Sequence, residues 1–182
     1  MTVLPDLVWA PSPNCSPRNL QRGCKPYLIV VHRPVGAYHG SVAWLSNPAS
    51  QASAHIVTEH DKATQLVAWD QKAWHAMAFN SVSYGVEVDD SAWDGSDPIA
   101  FATAARIIGY LCTRTGIPPK QALQPTHAPG VVRHVDLGAA GGGHTDPTEN
   151  DAIWRSFLKT VSREVARGGY RRTWGHGRLV KL

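Results

Sequence analysis

The chain has 182 residues, 43% of them hydrophobic and 18% charged, which excludes a disordered polymer and is enough for one domain with a proper core. No apolar run approaches the roughly 20 residues that a membrane helix needs, so no membrane span is expected. The net charge of +4 is unevenly placed: from Lys159 to Leu182 seven basic residues face one acid, Glu164. That basic end either touches an anionic surface or is a solvated helix end and linker.

Residues 1–26 hold five prolines and are expected to form an irregular lead-in. "YLIVV" (27–31) is a short apolar run rich in β-branched residues and predicts a buried central strand ending at His32. "SVAWLSNP" (41–48) predicts a short helix stopped by Pro48. "AHIVTEH" (54–60) and "QLVAW" (65–69) predict two strands joined as a hairpin across Asp61–Lys62. "SYGVEVD" (83–89) alternates as a strand, with Tyr84, Val86 and Val88 on one face and Gly85, Glu87 and Asp89 on the other.

Asp97-Pro98 pairs a capping residue with a proline at the first helical position. Ala100, Ala104, Ile107, Ile108 and Leu111 repeat at helical spacing, and Gly116 with Pro118–Pro119 closes that helix. A second helix is predicted from about Asp151 to Arg167, with Ile153, Trp154, Phe157, Leu158, Val161 and Val165 along one side. The order of strands, helix, loop and helix predicts a mixed α/β domain, with a central mixed β-sheet flanked by helices.

Three cysteines are too few for a disulfide framework. Cys15 and Cys24 could bridge the proline-rich segment in an oxidising compartment, and free or buried thiols are the plainer reading for all three. The absence of a CxxC pair argues against a cysteine zinc site.

The nine histidines matter for where they fall. His32 ends an apolar strand, and His134 follows "VVR", a second apolar run. Asp146 closes the glycine-rich stretch "RHVDLGAAGGGHTDP" (133–147). Two histidines from distant strands and a carboxylate suit catalytic zinc, which takes three protein ligands and leaves a fourth position open. On spacing alone, each of these histidines reads as well as a surface or satisfied polar group. His127, between prolines, is the competing ligand, and His134 is preferred because Val131 and Val132 can form a strand before it. His39, His60 and His176 read as surface groups, and His55 as structural or functional. Trp69 and Trp74 are cleft candidates and Trp154 a core residue.

"YLIVVH", "SAHIVTEHDKATQLVAWDQKAWHA", "SYGVEV" and "RHVDLGAAGGGHTDP" occur in that order. Together they resemble the zinc-dependent N-acetylmuramoyl-L-alanine amidases of the type-2 amidase/peptidoglycan-recognition-protein superfamily, which includes many phage endolysins. The resemblance covers about residues 8 to 165 and implies the fold of that superfamily for a zinc amidase domain at 1–168, followed by a basic tail or linker at 169–182. It also implies Zn2+ held by His32, His134 and Asp146, with Glu87 as general base. His144 is implied as the donor to the developing oxyanion, and Trp74 and His75 as lining of the substrate cleft. Asp136 is left as a partner of a zinc histidine or a structural residue.

The sequence departs from the pattern at Ala54, where some phage relatives carry a catalytic tyrosine, at Ile56, where many have an aromatic residue, and at Thr148, where glycine is usual. The substrate implied is bacterial peptidoglycan, cut between N-acetylmuramic acid and L-alanine. The implied enzyme is a monomer with no nucleic-acid partner, and its basic tail is placed against an anionic wall or membrane surface. The N-terminus lacks the basic start of a signal peptide, so synthesis in a host cytoplasm and release through a holin-type route are expected. The competing reading is a muropeptide-binding module of the same fold that does not cut.

Overall fold

A computed structural model describes residues 4–18 and 25–168. The basic tail at 169–182, His176 and the Cys24 half of the Cys15–Cys24 pairing lie outside the described residues.

The frame is a six-stranded mixed sheet. Its strands are β1 (Leu7–Trp9), β3 (Leu28–His32), β4 (Ile56–Glu59), β5 (Lys62–Gln65), β7 (Ser83–Val88) and β8 (Gly130–Arg133), in the spatial order β1-β5-β4-β7-β3-β8. Two further strands, β2 (Cys15–Pro17) and β6 (Gln71–Ala73), pair antiparallel beside it. The helices are α1 (Tyr38–Leu45), α2 (Ser91–Asp94), α3 (Pro98–Thr115) and α4 (Asp151–Arg167). Among the described residues, no helix is long and apolar enough to cross a membrane.

Strand β3 is buried at all five positions, as expected of a central strand covered on both faces. Its period of two divides the core. Ile29 and Val31 face the layer of α3 and α4 with Val86, Val131, Trp93, Trp154 and Phe157, while Leu28 and Val30 pack the other face with Val132, Phe79 and Leu137. The helices stop where their chemistry dictates. Asp97 accepts from the Ile99 and Ala100 amides ahead of Pro98, and Gly116 closes α3 at φ 77°. Asn150 caps α4 through the Ala152 and Ile153 amides.

Four expectations are corrected. The N-terminal lead-in is not irregular throughout: β1 joins the sheet edge parallel to β5, and β2 pairs with β6. Strands of three residues are too short to show a period, and the one proline within them, Pro17, sits at the end of β2. The hairpin exists, but its two-residue turn is His60–Asp61, with Glu59 opposite Lys62. The returning strand is therefore 62–65, and Leu66–Trp69 run on as buried chain. The first helix begins at Tyr38, three residues early, because the buried Tyr38 anchors its start. The glycine-rich stretch, expected as the loop between the two long helices, winds as 3-10 helix from His134 to Gly141, broken at Gly138 (φ 57°).

Candidate active site

Parallel strands β7, β3 and β8 are neighbours, so their carboxyl ends open on one edge, where ligand crevices of α/β sheets form. In the parallel register His32 lies level with Glu87, and Val31 with Arg133. His134 therefore emerges one residue beyond β8, beside His32. Parity does the rest: His32 continues the face of Leu28 and Val30, Glu87 that of Gly85, and His134 that of Val132. These side chains leave the sheet away from α3 and α4 and enter a cleft of about 760 Å³.

Asp146 arrives from the far end of the glycine-rich segment. The Val135 amide donates to its carbonyl at 2.9 Å, and the Arg33 amide donates to its Oδ2 at 3.1 Å. Arg133 ties the same segment down. Its guanidinium meets Asp136 Oδ1 at 2.8 Å, Asp151 Oδ1 at 2.9 Å and the Thr148 carbonyl at 3.3 Å, over the face of Trp154. Asp136 thus holds the loop through Arg133, and its bonds go to Arg133 and Gln121 rather than to His32 or His134. Gly142 sits at φ 111°, a backbone state that a residue with a Cβ rarely adopts, and there the chain turns back toward Asp146.

His32 Nδ1, His134 Nδ1 and the Asp146 carboxylate converge. The separations are 3.0 Å between the two nitrogens, 3.1 Å from His134 to Oδ1 and 3.6 Å from His32 to Oδ2. Ligands at about 2.0–2.2 Å from a tetrahedral zinc stand roughly 3.3–3.5 Å apart, so this triangle fits the ion. His134 Nε2 donates to the Gly141 carbonyl at 2.9 Å, which leaves Nδ1 facing inward as the candidate ligand atom. Burial lowers the pKa of His32 to about 4, so its ring is neutral at neutral pH. Burial opposes the charge on Asp146, but the imidazoles of His134 and His32 beside it outweigh burial and hold the carboxyl well below the usual range. Two imidazoles and a carboxylate make a donor set for a divalent cation.

Glu87 stands at the cleft wall with its Oε2 buried and without a hydrogen-bond partner. Burial, and then the charge of Asp146, push its pKa up to about 8. His144 is mostly exposed. Its ring stacks on His134 at 4.3 Å between centroids, and its Nδ1 lies 3.8 Å from Asp146 Oδ1. Trp74 lines the cleft and donates from Nε1 to Ser16 Oγ at 3.2 Å. His75 lines it too, with its pKa driven well below the ordinary value by burial and by neighbouring histidines.

Other candidates lie elsewhere. Trp69 is a core residue, 6% exposed, with its ring stacked on His55, so the reading of it as a cleft residue is corrected. His55 is fully buried behind the cleft, where its Nδ1 accepts from the Gly85 amide. His127 is exposed and bonded to Thr126, away from the ligand triangle. Sequence reasoning passed over Asn80, Ser83 and Arg18. Arg18 is buried and donates to the carbonyls of Ser81 and Ser83, bracing the segment that carries the cleft wall. A buried arginine in a proline-rich lead-in gives no periodic signal.

A mixed sheet whose carboxyl edge presents His, His and carboxylate beside a half-buried glutamate has the donor set of a hydrolytic site. The profile of the N-acetylmuramoyl-L-alanine amidase family matches residues 22–149, and the chain belongs to that family. It is 37% identical over 93 residues to N-acetylmuramoyl-L-alanine amidase A of Achromobacter lyticus, a match covering 49% of this chain and 52% of that one, so it spans about half the length of this curated relative. In fold it is similar to the Staphylococcus aureus hydrolase AmiA, with a TM-score of 0.72 at 16% identity over 89% of this chain and 84% of that one. A mutant endolysin from Bacillus subtilis gives 0.66 at 21% identity over 87% and 99%.

Proposed function

We propose that the protein hydrolyses the amide bond between N-acetylmuramic acid and L-alanine in peptidoglycan, with Zn2+ held by His32, His134 and Asp146. The observation that carries the reading is the convergence of these three donor groups beside the buried carboxyl of Glu87 in one open cleft. Family membership supports the substrate bond.

The chemistry such an ion supplies is Lewis acidity, which acidifies water and polarises a carbonyl oxygen. Glu87 takes a proton from the attacking water and returns it to the leaving amine nitrogen as the C–N bond breaks. A nearby cation also lowers the glutamate pKa from its buried value, so the group is ionised when it must act as a base. His144, at the exposed rim, donates to the carbonyl oxygen as negative charge builds there. Trp74 gives the cleft an aromatic wall. In the same reading residues 1–168 form a monomeric catalytic unit, and the basic stretch 169–182 contacts the anionic wall or membrane surface. In the same reading the protein is a phage or prophage lysin released by a holin-type route.

Mass analysis of digested peptidoglycan tests the reaction. The expected product is free stem peptide beginning with L-alanine, lost on treatment with a chelator and regained with zinc. Activity untouched by chelation removes the zinc reading, and binding of muropeptide without cleavage replaces the enzyme by a recognition module.

A further inference from the structure

His32 presents a lone pair at Nδ1 only in the tautomer that carries its proton on Nε2. In that tautomer Nε2 needs an acceptor, and the atom facing it is His75 Nδ1, at 2.9 Å. His75 accepts there only if its own proton sits on Nε2, which faces Ser83 Oγ at 3.1 Å. The Ser83 hydroxyl proton is already given to the Phe79 carbonyl at 2.7 Å, so Oγ is left as an acceptor. The backbone carbonyl of Phe79, which has no proton to exchange, therefore sets the direction of every bond from Ser83 through His75 to His32.

The His75 ring is also held in place. The Asn80 side-chain oxygen accepts from the amides of His75 at 2.9 Å and Ala76 at 2.6 Å. A Cβ at Gly85 would stand 2.7 Å from His75 Cγ and 2.8 Å from Nδ1, so the ring fits only because strand β7 carries a glycine there. The planes of His75 and His32 meet at 85°, with centroids 5.0 Å apart.

We propose that His75 is a positioning residue that locks His32 in its metal-binding tautomer and orientation, with Ser83 and Gly85 fixing His75 in turn. The inference rests on the reading of His32, His134 and Asp146 as a zinc site. It also gives His75 a role other than substrate contact, because both ring nitrogens are already engaged. His134 needs no equivalent side chain, since the Gly141 carbonyl does the same for it from the backbone. Partners beyond the ligands of this kind orient the ring and raise its basicity.

The test is zinc affinity, by competition with a chromophoric chelator, together with nitrogen-15 NMR of the His32 ring in metal-free wild-type protein. The expected spectrum shows the Nε2–H tautomer. His75→Ala is expected to weaken zinc binding by about 10- to 100-fold. Ser83→Ala is expected to weaken it less, because it only frees the His75 tautomer. His75→Asn, which offers Oδ1 where Nδ1 stood, is expected to restore most of the affinity. Activity of His75→Ala is expected to recover at saturating zinc, where loss of a substrate contact would persist as a raised KM.

A dominant Nδ1–H tautomer in wild type overturns the proposal, as does a folded His75→Ala that binds zinc as tightly as wild type. Wild-type protein that binds no zinc at all overturns the zinc site itself.

Discussion

His32 and Glu87 occupy the same rung of the sheet, paired across β3 and β7, with their side chains on the face turned away from α3 and α4. One residue of slip would send one of them into the helix-facing core. The register of two buried strands thus places the candidate base beside the candidate metal ligand, and hydrophobic burial of Ile29, Val31, Val86 and Val88 enforces that register.

Glu87→Gln keeps the volume and removes the base. The expected result is a fall in kcat of about 10²- to 10⁴-fold with zinc content unchanged, measured by released stem peptide and by metal analysis of the same sample. Full activity in the glutamine variant shows that another group takes the proton.

Stability of the metal-free protein carries a signature of the same carboxyl. Its folded pKa is raised to about 8 by burial, so the folded state holds this proton more tightly than the unfolded chain does. The resulting stability is fully present below the unfolded value of about 4.3 and is lost as pH rises through about 8. The lowered pKa of His32 and of His55 acts oppositely, costing stability as pH falls below about 6.5, so the comparison must be with a variant. Thermal melts in chelator from pH 5 to pH 9 are expected to show Glu87→Gln gaining on wild type towards the alkaline end. A pH-independent difference would mean that Glu87 is not buried as a neutral acid.

His144 stacks on His134 yet stands largely in solvent, so its removal is expected to spare the fold. His144→Ala should lower kcat by about 10²-fold, the cost of one oxyanion donor, with little change in zinc affinity. Equal losses in zinc affinity and rate would assign it to the metal instead.

Arg133 ties Asp136, Thr148 and Asp151 together behind the ligand triangle. Arg133→Met leaves Asp136 without its ion-pair partner, although the Gln121 side chain and the residue 133 amide still donate to it, and should cost about 1–3 kcal/mol, read as a lowered melting temperature. Zinc affinity should fall as well, because the segment that delivers Asp146 loosens. Unchanged zinc affinity in this variant would show that the Arg33 amide and Val135 are sufficient to hold Asp146.

Much of this was legible along the chain. Strand β3, the alternation in "SYGVEV", the capped helix after Asp97 and the amphipathic helix from Asp151 are local patterns, and each is where its pattern puts it. The three metal-ligand candidates were legible only through the order of the motifs, since a histidine at a strand end carries no signal of what it will meet. The short strands β1, β2 and β6 were not legible, because three residues cannot display a period and their pairing partners are remote in sequence.

The sequence by itself determined the hydrophobic periodicity, and with it the strands and helices that must pack. It also determined which side chains could do chemistry: His32, Glu87, His134, His144 and Asp146. The tertiary structure alone decided which of them meet. Parallel pairing of β7, β3 and β8 brings residues 32, 87 and 134 to one edge, and Arg133 with the Arg33 amide brings Asp146 back to them. It also decided the setting of His75, whose ring meets Ser83 and packs on Gly85 while Asn80 holds its backbone amide. Hydrogen-bond direction and close approach depend on atoms that only the folded chain brings within 3 Å, so no reading of spacing along the sequence contains them.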